Sequence, residues 1–424
     1  MRIIRFFAVI LIAALVGYYI GITKIDLAWK GYHPRLEISS KEPPSSVSRL
    51  DMTKFWSVMA QVEENFYNKS AIDPQKMLDG AISGMVNSLD DPYTVYLPPV
   101  QNSNFKEALS GQFSGIGAEL GLKEKQVIVV SPIDGSPAEK AGIKAGDAIL
   151  KVDDATTLGW SLTQAVEKIR GPRGTTVALT ILRKDAKAPT VLKISRDTIT
   201  IKSVTHYTKA IKDIVSIDKS TVLKAAQDKK VIYIRLSQFG DNTNQEWLSM
   251  ANSLALSMQQ DATIKGVVLD LRNNPGGYVS DAVFISSEFL KVGTPVVIQD
   301  MGGAEQETLS VKRTGLMLDT PLVILINKGS ASAAEITAGS LRDGGRALLI
   351  GEQSFGKGTM QNTQDLGQGS GLHVTIARWL TPKGVWVGNG KDGKGLTPDV
   401  VVELDTKDIS HDIQLEKAIE QLVK

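Results

Sequence analysis

Leu322-Val-Ile-Leu-Ile-Asn-Lys328-Gly-Ser-Ala-Ser332-Ala-Ala-Glu335-Ile336 joins an apolar run of strand length to a turn holding two serines, and then to a helix-compatible segment, Ala333 to Arg342. A short apolar run bounded by turn residues predicts a buried strand, so the order strand, turn, helix predicts an α/β fold with a serine held out at the turn. A second stretch repeats the design. Ala347-Leu-Leu-Ile350 leads into Gly351-Glu-Gln-Ser-Phe-Gly-Lys357-Gly-Thr-Met-Gln361, which sets one lysine between two glycines where the backbone can bend and approach a site closely.

A serine hydroxyl is a poor nucleophile until a neighbouring base takes its proton, and a lysine serves as that base when burial lowers its pKa toward neutrality. The chain has no cysteine, which excludes a thiol nucleophile, and its four histidines, His33, His206, His373 and His411, lie in no recognisable motif. His373, inside the alternating run Gly371 to Ala377, reads as a strand residue. Serine with lysine is the simplest hydrolytic pairing left. A nucleotide-binding reading also arises, since Gly351-x-x-x-x-Gly356-Lys357 has the spacing of a phosphate-binding loop. That loop needs Ser or Thr after the lysine to hold magnesium, and the residue here is Gly358.

These motifs together resemble the C-terminal processing peptidases, the tail-specific serine protease family S41 with a PDZ domain. The resemblance places the nucleophile at Ser332 rather than Ser330, the base at Lys357, and a lysine-orienting glutamine, one helical turn later, at Gln361. It extends to Val267-Val-Leu-Asp-Leu-Arg-Asn-Asn-Pro-Gly-Gly277, whose glycine amides, Gly276 or Gly277, resemble the family's oxyanion donors. A second donor is expected from the amide of Ala333, at the start of the following helix. Asp270 and Arg272 read as strand terminators, and Glu335 as a first-turn acid beside the helix dipole. Leu89-Asp-Asp-Pro-Tyr-Thr94 and Gly395-Leu-Thr-Pro-Asp399 also match, so the resemblance covers nearly everything after residue 50. Trp379 and Trp386 are expected to pack near the cleft. The implied chemistry needs no metal and no cofactor.

The block from Ser114 to Lys184 resembles a PDZ domain of the circularly permuted bacterial type. It opens with Ser114-Gly115-Ile116-Gly117 and contains Ser136-Pro-Ala-Glu-Lys-Ala-Gly-Ile-Lys-Ala-Gly-Asp147. Free amides in such a loop capture a terminal carboxylate while the peptide adds as a strand to an open sheet edge. The expected partners are therefore protein or peptide substrates with apolar C-termini. Arg170 and Arg173, flanking a Gly-Pro turn, are candidates for coupling this domain to the protease site.

The first residues set the expected location. Phe6 to Ile22 is an uncharged apolar stretch behind Arg2 and Arg5, near the lower end of the roughly 17 to 25 residues that span a bilayer. Positive charge before the span predicts a single-pass cell-membrane anchor with the catalytic part extracytoplasmic, periplasmic or extracellular. The alternative is a cleaved signal peptide, against which the bulky stretch after Ala13 and Ala14 offers no good Ala-x-Ala site. Gly17 and Gly21 have the spacing of a helix-pairing motif. The Pro- and Ser-rich segment 42–48 reads as a tether. Phe55, Met59, Val62 and Phe66 form one helical stripe that predicts core, or by resemblance a dimer face, and hence a homo-oligomer. Lys and Arg (48) nearly balance Asp and Glu (46), so no field selects nucleic acid.

The expected fold class is thus a mixed multi-domain α/β protease. Its parts are a transmembrane anchor (1–23), a linker (24–50), a helical N-terminal region (51–104), an inserted PDZ domain (105–190) and a Ser-Lys peptidase core (191–424). The expected function is a serine endopeptidase that recognises protein C-termini and cuts in or near the tail. The alternative is a membrane-tethered PDZ scaffold that binds chain ends without cutting them.

Overall fold

The computed structural model describes residues 50–424 apart from 124, 134, 185, 219, 389–394 and 405–410, together with the backbone of a hairpin, Ile25–Lys30 and His33–Ile38. The apolar stretch 6–22, with Gly17 and Gly21, and the tether at 42–48 lie outside the described residues. No helix among the described residues is long and apolar enough to cross a membrane. The chain divides into two compact units, Met1–Leu78 and Asp79–Lys424.

In the first unit, helix α1 (Thr53–Asn65) carries the apolar stripe predicted above, but none of its side chains is buried. Phe55 and Met59 are half-buried, and Val62 and Phe66 are exposed, so among the described residues the stripe forms no core. Helix α2 (Pro74–Asn87) starts where Asp73-Pro74 predicts, with Asp73 Oδ1 accepting the Gln75 and Lys76 amides.

Strand β1 (Val95–Leu97) and helix α3 (Pro99–Ser110) precede an antiparallel sheet. The block holding that sheet contains β2 (Gln112–Gly115), β3 (Ala118–Lys123), β4 (Gln126–Pro132), β5 (Ala148–Val152), helix α4 (Leu162–Ile169), β6 (Thr176–Leu182), β7 (Thr190–Ser195) and β8 (Asp197–Thr200), of which β3 to β7 form the sheet. The order β7-β6-β5-β4-β3 leaves β3 at an edge, with α4 beside it. Alternation along β6 turns Val177, Leu179 and Ile181 inward onto Val127, Val129 and Ile149. The pair β2 and β8 forms the antiparallel stem of this block.

The remainder is α/β, as expected. In chain order it contains β9 (Val204–Ala210), β10 (Lys230–Leu236), α5 (Thr243–Gln260), β11 (Ile264–Asp270), α6 (Val279–Ser286), β12 (Pro295–Asp300) and β13 (Gln306–Ser310). These are followed by β14 (Leu322–Ile326), α7 (Ala333–Asp343), β15 (Ala347–Gly351), β16 (Thr359–Gly367), β17 (Ser370–Leu380), β18 (Val400–Val401) and α8 (Ile413–Leu422). The main sheet runs β9-β10-β11-β14-β15-β18, parallel except at β9. Both of its faces are covered, which is why the strands read as unbroken apolar runs. Leu322, Ile324 and Ile326 of β14 join Trp247 and Leu341 on one side, while Val323 and Leu325 meet Leu415 and Ile419 of α8 on the other. A second sheet, β13-β12-β17-β16 with β1 added to β17, packs on the first core through Val297, Met360 and Trp379.

Asp270 and Arg272 end β11 inside a buried polar network rather than at the serine. Asp270 accepts from Arg272, Arg235 and Tyr233, and Arg272 reaches on to Asp412 and Gln414 at the start of α8. Burial beside Asp270 pushes the Tyr233 phenol far up.

Candidate active site

Strands β11, β14 and β15 are parallel neighbours, so the loops leaving their C-terminal ends emerge side by side, where open α/β sheets form their crevices. Three motifs far apart in sequence meet there for that reason. The loop after β11 is fastened to the serine turn by Asn273 N to Asn327 Oδ1 (2.8 Å), Asn327 Nδ2 to Asn273 Oδ1 (2.8 Å) and Ala331 N to Asn274 O (2.9 Å).

The two serines of the turn have separate fates. Ser330 is fully buried, and its hydroxyl donates to the Leu271 carbonyl (2.8 Å) while accepting the Asn327 amide (3.0 Å), so it is committed to holding the turn. Ser332 keeps a small exposure and has φ 54 and ψ −118, a conformation that L residues adopt rarely and that a sharp strand-to-helix nucleophile turn imposes.

Glu335 lies one turn into α7, fully buried, and its carboxylate is the hub of the site. Oε2 accepts the amides of Ser332 (2.9 Å) and Lys357 (2.9 Å). Oε1 accepts the Gly356 amide (2.7 Å) and the Ser354 hydroxyl. Burial pushes this carboxyl up, and the four donated hydrogen bonds oppose the rise. Sequence reasoning saw only a first-turn acid here. Nothing in the local pattern around Glu335 signals its long-range partners.

Lys357 is half-buried, and burial pulls its ammonium down from the ordinary lysine range, against the opposing fields of Asp91 and Glu335. Its carbonyl accepts the buried Trp379 indole (2.7 Å), and the Gly358 carbonyl accepts the Trp386 indole (2.9 Å), so both tryptophans border this loop as expected. A Cβ at Gly358 would lie 2.4 Å from Trp386 Nε1, leaving no room for the Ser or Thr that a phosphate-binding loop requires. That nucleotide-binding reading ends there.

Gln361 lies on a strand, β16, not one helical turn beyond the lysine as expected. Its Nε2 donates to Thr359 Oγ1 (2.9 Å) and Thr375 Oγ1 (3.2 Å), and no contact between it and the Lys357 amine is among the described interactions. Spacings of two and four residues share a face in extended chain, so a four-residue interval suits a strand as well as a helix. His373 packs edge-on against Phe105 (4.4 Å), and burial with the Lys357 charge lowers its pKa.

The glycine pair resolves into two roles. The Gly276 amide donates to Asn274 Oδ1 (2.9 Å), and a Cβ there would strike Ala331 O (2.7 Å), Ser332 Cβ (2.8 Å) and Ala333 N (2.9 Å). The Gly277 amide, like that of Ala333, donates to no acceptor among the described residues. Both glycines permit close approach, Gly276 to the serine turn and Gly277 to the Phe239 carbonyl, and Gly277 is the one with an amide to offer.

In the PDZ-like block, the carbonyl of Ile116 accepts Ala138 N (2.8 Å), and that of Gly117 accepts Ile133 N (2.9 Å) and Ser136 Oγ (2.9 Å). The amides of Ile116 and Gly117 have no such acceptor among the described residues, and the Ser114 hydroxyl is buried without a partner. Gly115 ends β2 at the stem. Arg170 stacks over Phe113 (4.5 Å) and faces Glu107 of α3 (3.8 Å), whereas Arg173 pairs with Asp197 (2.7 Å).

Residues 230–402 match Peptidase family S41, 128–183 a PDZ domain, and 10–99 the activating protease CtpB N-terminal domain. The chain is 35% identical over 367 residues to the carboxy-terminal processing protease CtpA of Bacillus subtilis, covering 87% of this chain and 72% of that one. It is 37% identical over 331 residues to a carboxy-terminal-processing protease of Bartonella bacilliformis, covering 78% and 70%. A Bacteroides fragilis crystal structure assigned to the S41 proteases, 14% identical, superposes with a TM-score of 0.54 over 87% of this chain and 96% of that one, a likeness of fold.

Proposed function

The chain belongs to the carboxy-terminal processing proteases of family S41, serine-type endopeptidases with an associated PDZ domain, and from that premise we propose a residue-by-residue mechanism. Ser332 Oγ attacks the scissile carbonyl as its proton passes to the neutral Lys357 amine. The oxyanion is held by the amides of Gly277 and Ala333. The resulting lysinium gives its proton to the leaving amine, and water then hydrolyses the acyl-enzyme by the reverse transfers. Gln361 fixes the wall beside the lysine through Thr359 and Thr375. The observation that carries this reading is the single carboxylate oxygen, Glu335 Oε2, that ties the amides of Ser332 and Lys357 together.

The PDZ domain, within 105–190, selects the substrate by its C-terminus. The amides of Ile116 and Gly117 meet the terminal carboxylate, Ser114 and Gly115 lead into that loop and complete the peptide-binding segment, and the chain adds along the β3 edge beside α4. Apolar termini fit the uncharged, glycine-based loop. Arg170 couples that domain to the core through Glu107 of α3, while Arg173, paired to Asp197 at the stem, keeps the turn in place. The stretch 6–22 anchors the protein in the cell membrane with its catalytic part extracytoplasmic, and the uncovered stripe of α1 makes a homo-oligomer contact.

The test is mass spectrometry of a tailed protein substrate incubated with the detergent-solubilised full chain and with its Ser332→Ala form. Internal cleavage by the first alone, with tail binding kept by both, supports the reading. Product from both forms sinks the assignment of Ser332, and product from neither leaves only the scaffold.

A further inference from the structure

The motif Leu89-Asp-Asp-Pro-Tyr-Thr94 has no part in the steps above, yet the fold sets it against the lysine. Strand β1 pairs with β17 at Gly371 to His373, which carries the preceding turn to the wall that holds Gln361. The turn is fixed internally. Asp91 Oδ1 accepts the Tyr93 amide (3.1 Å), Asp91 Oδ2 accepts the Thr94 hydroxyl (2.6 Å), and the Thr94 amide returns to the Asp91 carbonyl (3.3 Å). It is also tied outward, since Thr94 Oγ1 accepts the Thr375 amide (3.0 Å) and Thr375 Oγ1 accepts Gln361 Nε2 (3.2 Å). The Tyr93 ring centre lies 5.2 Å from Lys357 Nζ. Asp91 acts on that amine through its field without forming an ion pair with it. The other titratable groups acting there are Glu335 from α7 and His373 from β17.

A buried general base faces two opposed demands. Desolvation must leave the resting amine neutral, but the same desolvation penalises the cation formed when the base takes the serine proton. A contact ion pair would lock the amine in its charged form. A carboxylate held further off, with an aromatic face beside the amine, favours the cation without that lock.

We infer that Asp91 and Tyr93 are positioning residues for proton transfer, their turn stabilising the lysinium formed as the Ser332 O–H bond breaks and its proton joins the Lys357 lone pair. The inference rests on Lys357 being the base. Asp91 supplies the field and the Tyr93 ring the π face, and Thr94 and Thr375 hold both in register with Gln361.

The experiment is the pH profile of kcat and KM for the full chain in detergent on a tailed peptide, comparing wild type, Asp91→Asn, Tyr93→Leu and Tyr93→Phe. Asparagine keeps an acceptor for the Tyr93 amide and removes the charge, together with the Thr94 hydroxyl's acceptor at Oδ2, so the Tyr93 variants serve as the control for that lost bond. Activity rises with pH as the lysine loses its proton, so losing a favourable field moves that rise to lower pH while the plateau kcat falls about ten-fold and KM stays put. Tyr93→Leu should move the rise the same way, and Tyr93→Phe, which keeps the ring, should not. Uniform loss at every pH with the rise unmoved, or no change, overturns the inference. If Asp91→Asn fails to fold by circular dichroism, the Tyr93 pair decides alone. A wild-type profile without the rise, or full activity in Lys357→Met, would instead overturn the base assignment beneath it.

Discussion

Turning the amide of a glutamine at position 335 cannot replace what the carboxylate does. Each oxygen of Glu335 accepts two donors, Ser332 N and Lys357 N at one and Ser354 Oγ and Gly356 N at the other, so an NH2 in either place opposes a pair of donors. Glu335→Gln should cost about 1–3 kcal/mol for the buried groups left unpaired, read by denaturant melts, and should lower kcat more than it raises KM. Lys357 behaves in the opposite sense. Burial lowers its pKa, so below that pKa the folded state holds a charge it disfavours, and stability rises with pH as the proton leaves. Lys357→Met should therefore raise the neutral-pH Tm while cutting kcat by about a hundred-fold to ten-thousand-fold. A Met variant that melts below wild type would contradict burial as the source of the activated amine.

The helices and strands around these residues make their own predictions. Trp379 of β17 ties the lysine loop to the second sheet by its indole, and Trp379→Phe strands the Lys357 carbonyl at an expected cost of about 1–3 kcal/mol with a lower kcat. At the start of α6, three residues after the close-packed Gly277-Tyr278 step, burial pushes the Asp281 carboxyl up to about 6, with Asn244 and Ser280 opposing and Oδ2 unpartnered. A carboxyl raised on folding stabilises the protein below its unfolded value, about 3.9, and that contribution disappears as pH rises through its folded one. Thermal melts from pH 4 to 8 should show a loss of Tm across this window that Asp281→Asn removes. The strands carrying the site were legible because both faces of the main sheet are buried and leave continuous apolar runs, as at Leu322 to Ile326 and Val267 to Leu269. The turns that bear Ser332 and Lys357 were legible as turns because glycine- and serine-rich sequence follows such runs, while the choice of Ser332 over Ser330 came from the family resemblance alone. What escaped was partnership across the sheet: Glu335 with four donors, the tryptophan indoles with the loop carbonyls, and Gln361 on a strand. Hydrogen bonds between residues far apart leave no periodic trace in sequence, and a four-residue interval serves helix and strand alike. The stripe on α1 misled for a related reason, since periodicity marks an apolar face without saying what covers it.

Within the unit that begins at Asp79, α3 touches the PDZ domain, the β16–β17 hairpin and the segment next to Phe239. Its Asn102 donates to the Gly369 carbonyl (2.8 Å) at the tip of the β16–β17 hairpin, and its Phe105 packs on His373. The carbonyl of Leu109 accepts the Asp241 amide (3.1 Å), and that of Ser110 accepts Asn242 Nδ2 (3.1 Å), next to Phe239, whose carbonyl packs on Gly277. Glu107, on the same helix, meets Arg170 of the PDZ domain. If Arg170 couples the domains as proposed, a small rotation of the PDZ domain on its β2–β8 stem passes through α3 to the segment beside Gly277 and to the wall that carries Gln361. Packed elements of this kind shift between discrete arrangements rather than deform smoothly. The Arg170–Glu107 contact is partly exposed and long, so its removal should leave overall stability within about 0.5 kcal/mol. Its loss should instead appear in coupling. In Arg170→Ala, a peptide with an apolar C-terminus added in trans should bind the PDZ domain with unchanged Kd, measured by calorimetry, while the difference it makes to cleavage of a second substrate shrinks toward none. Full retention of that difference would remove Arg170 from the path and return the coupling to the stem alone.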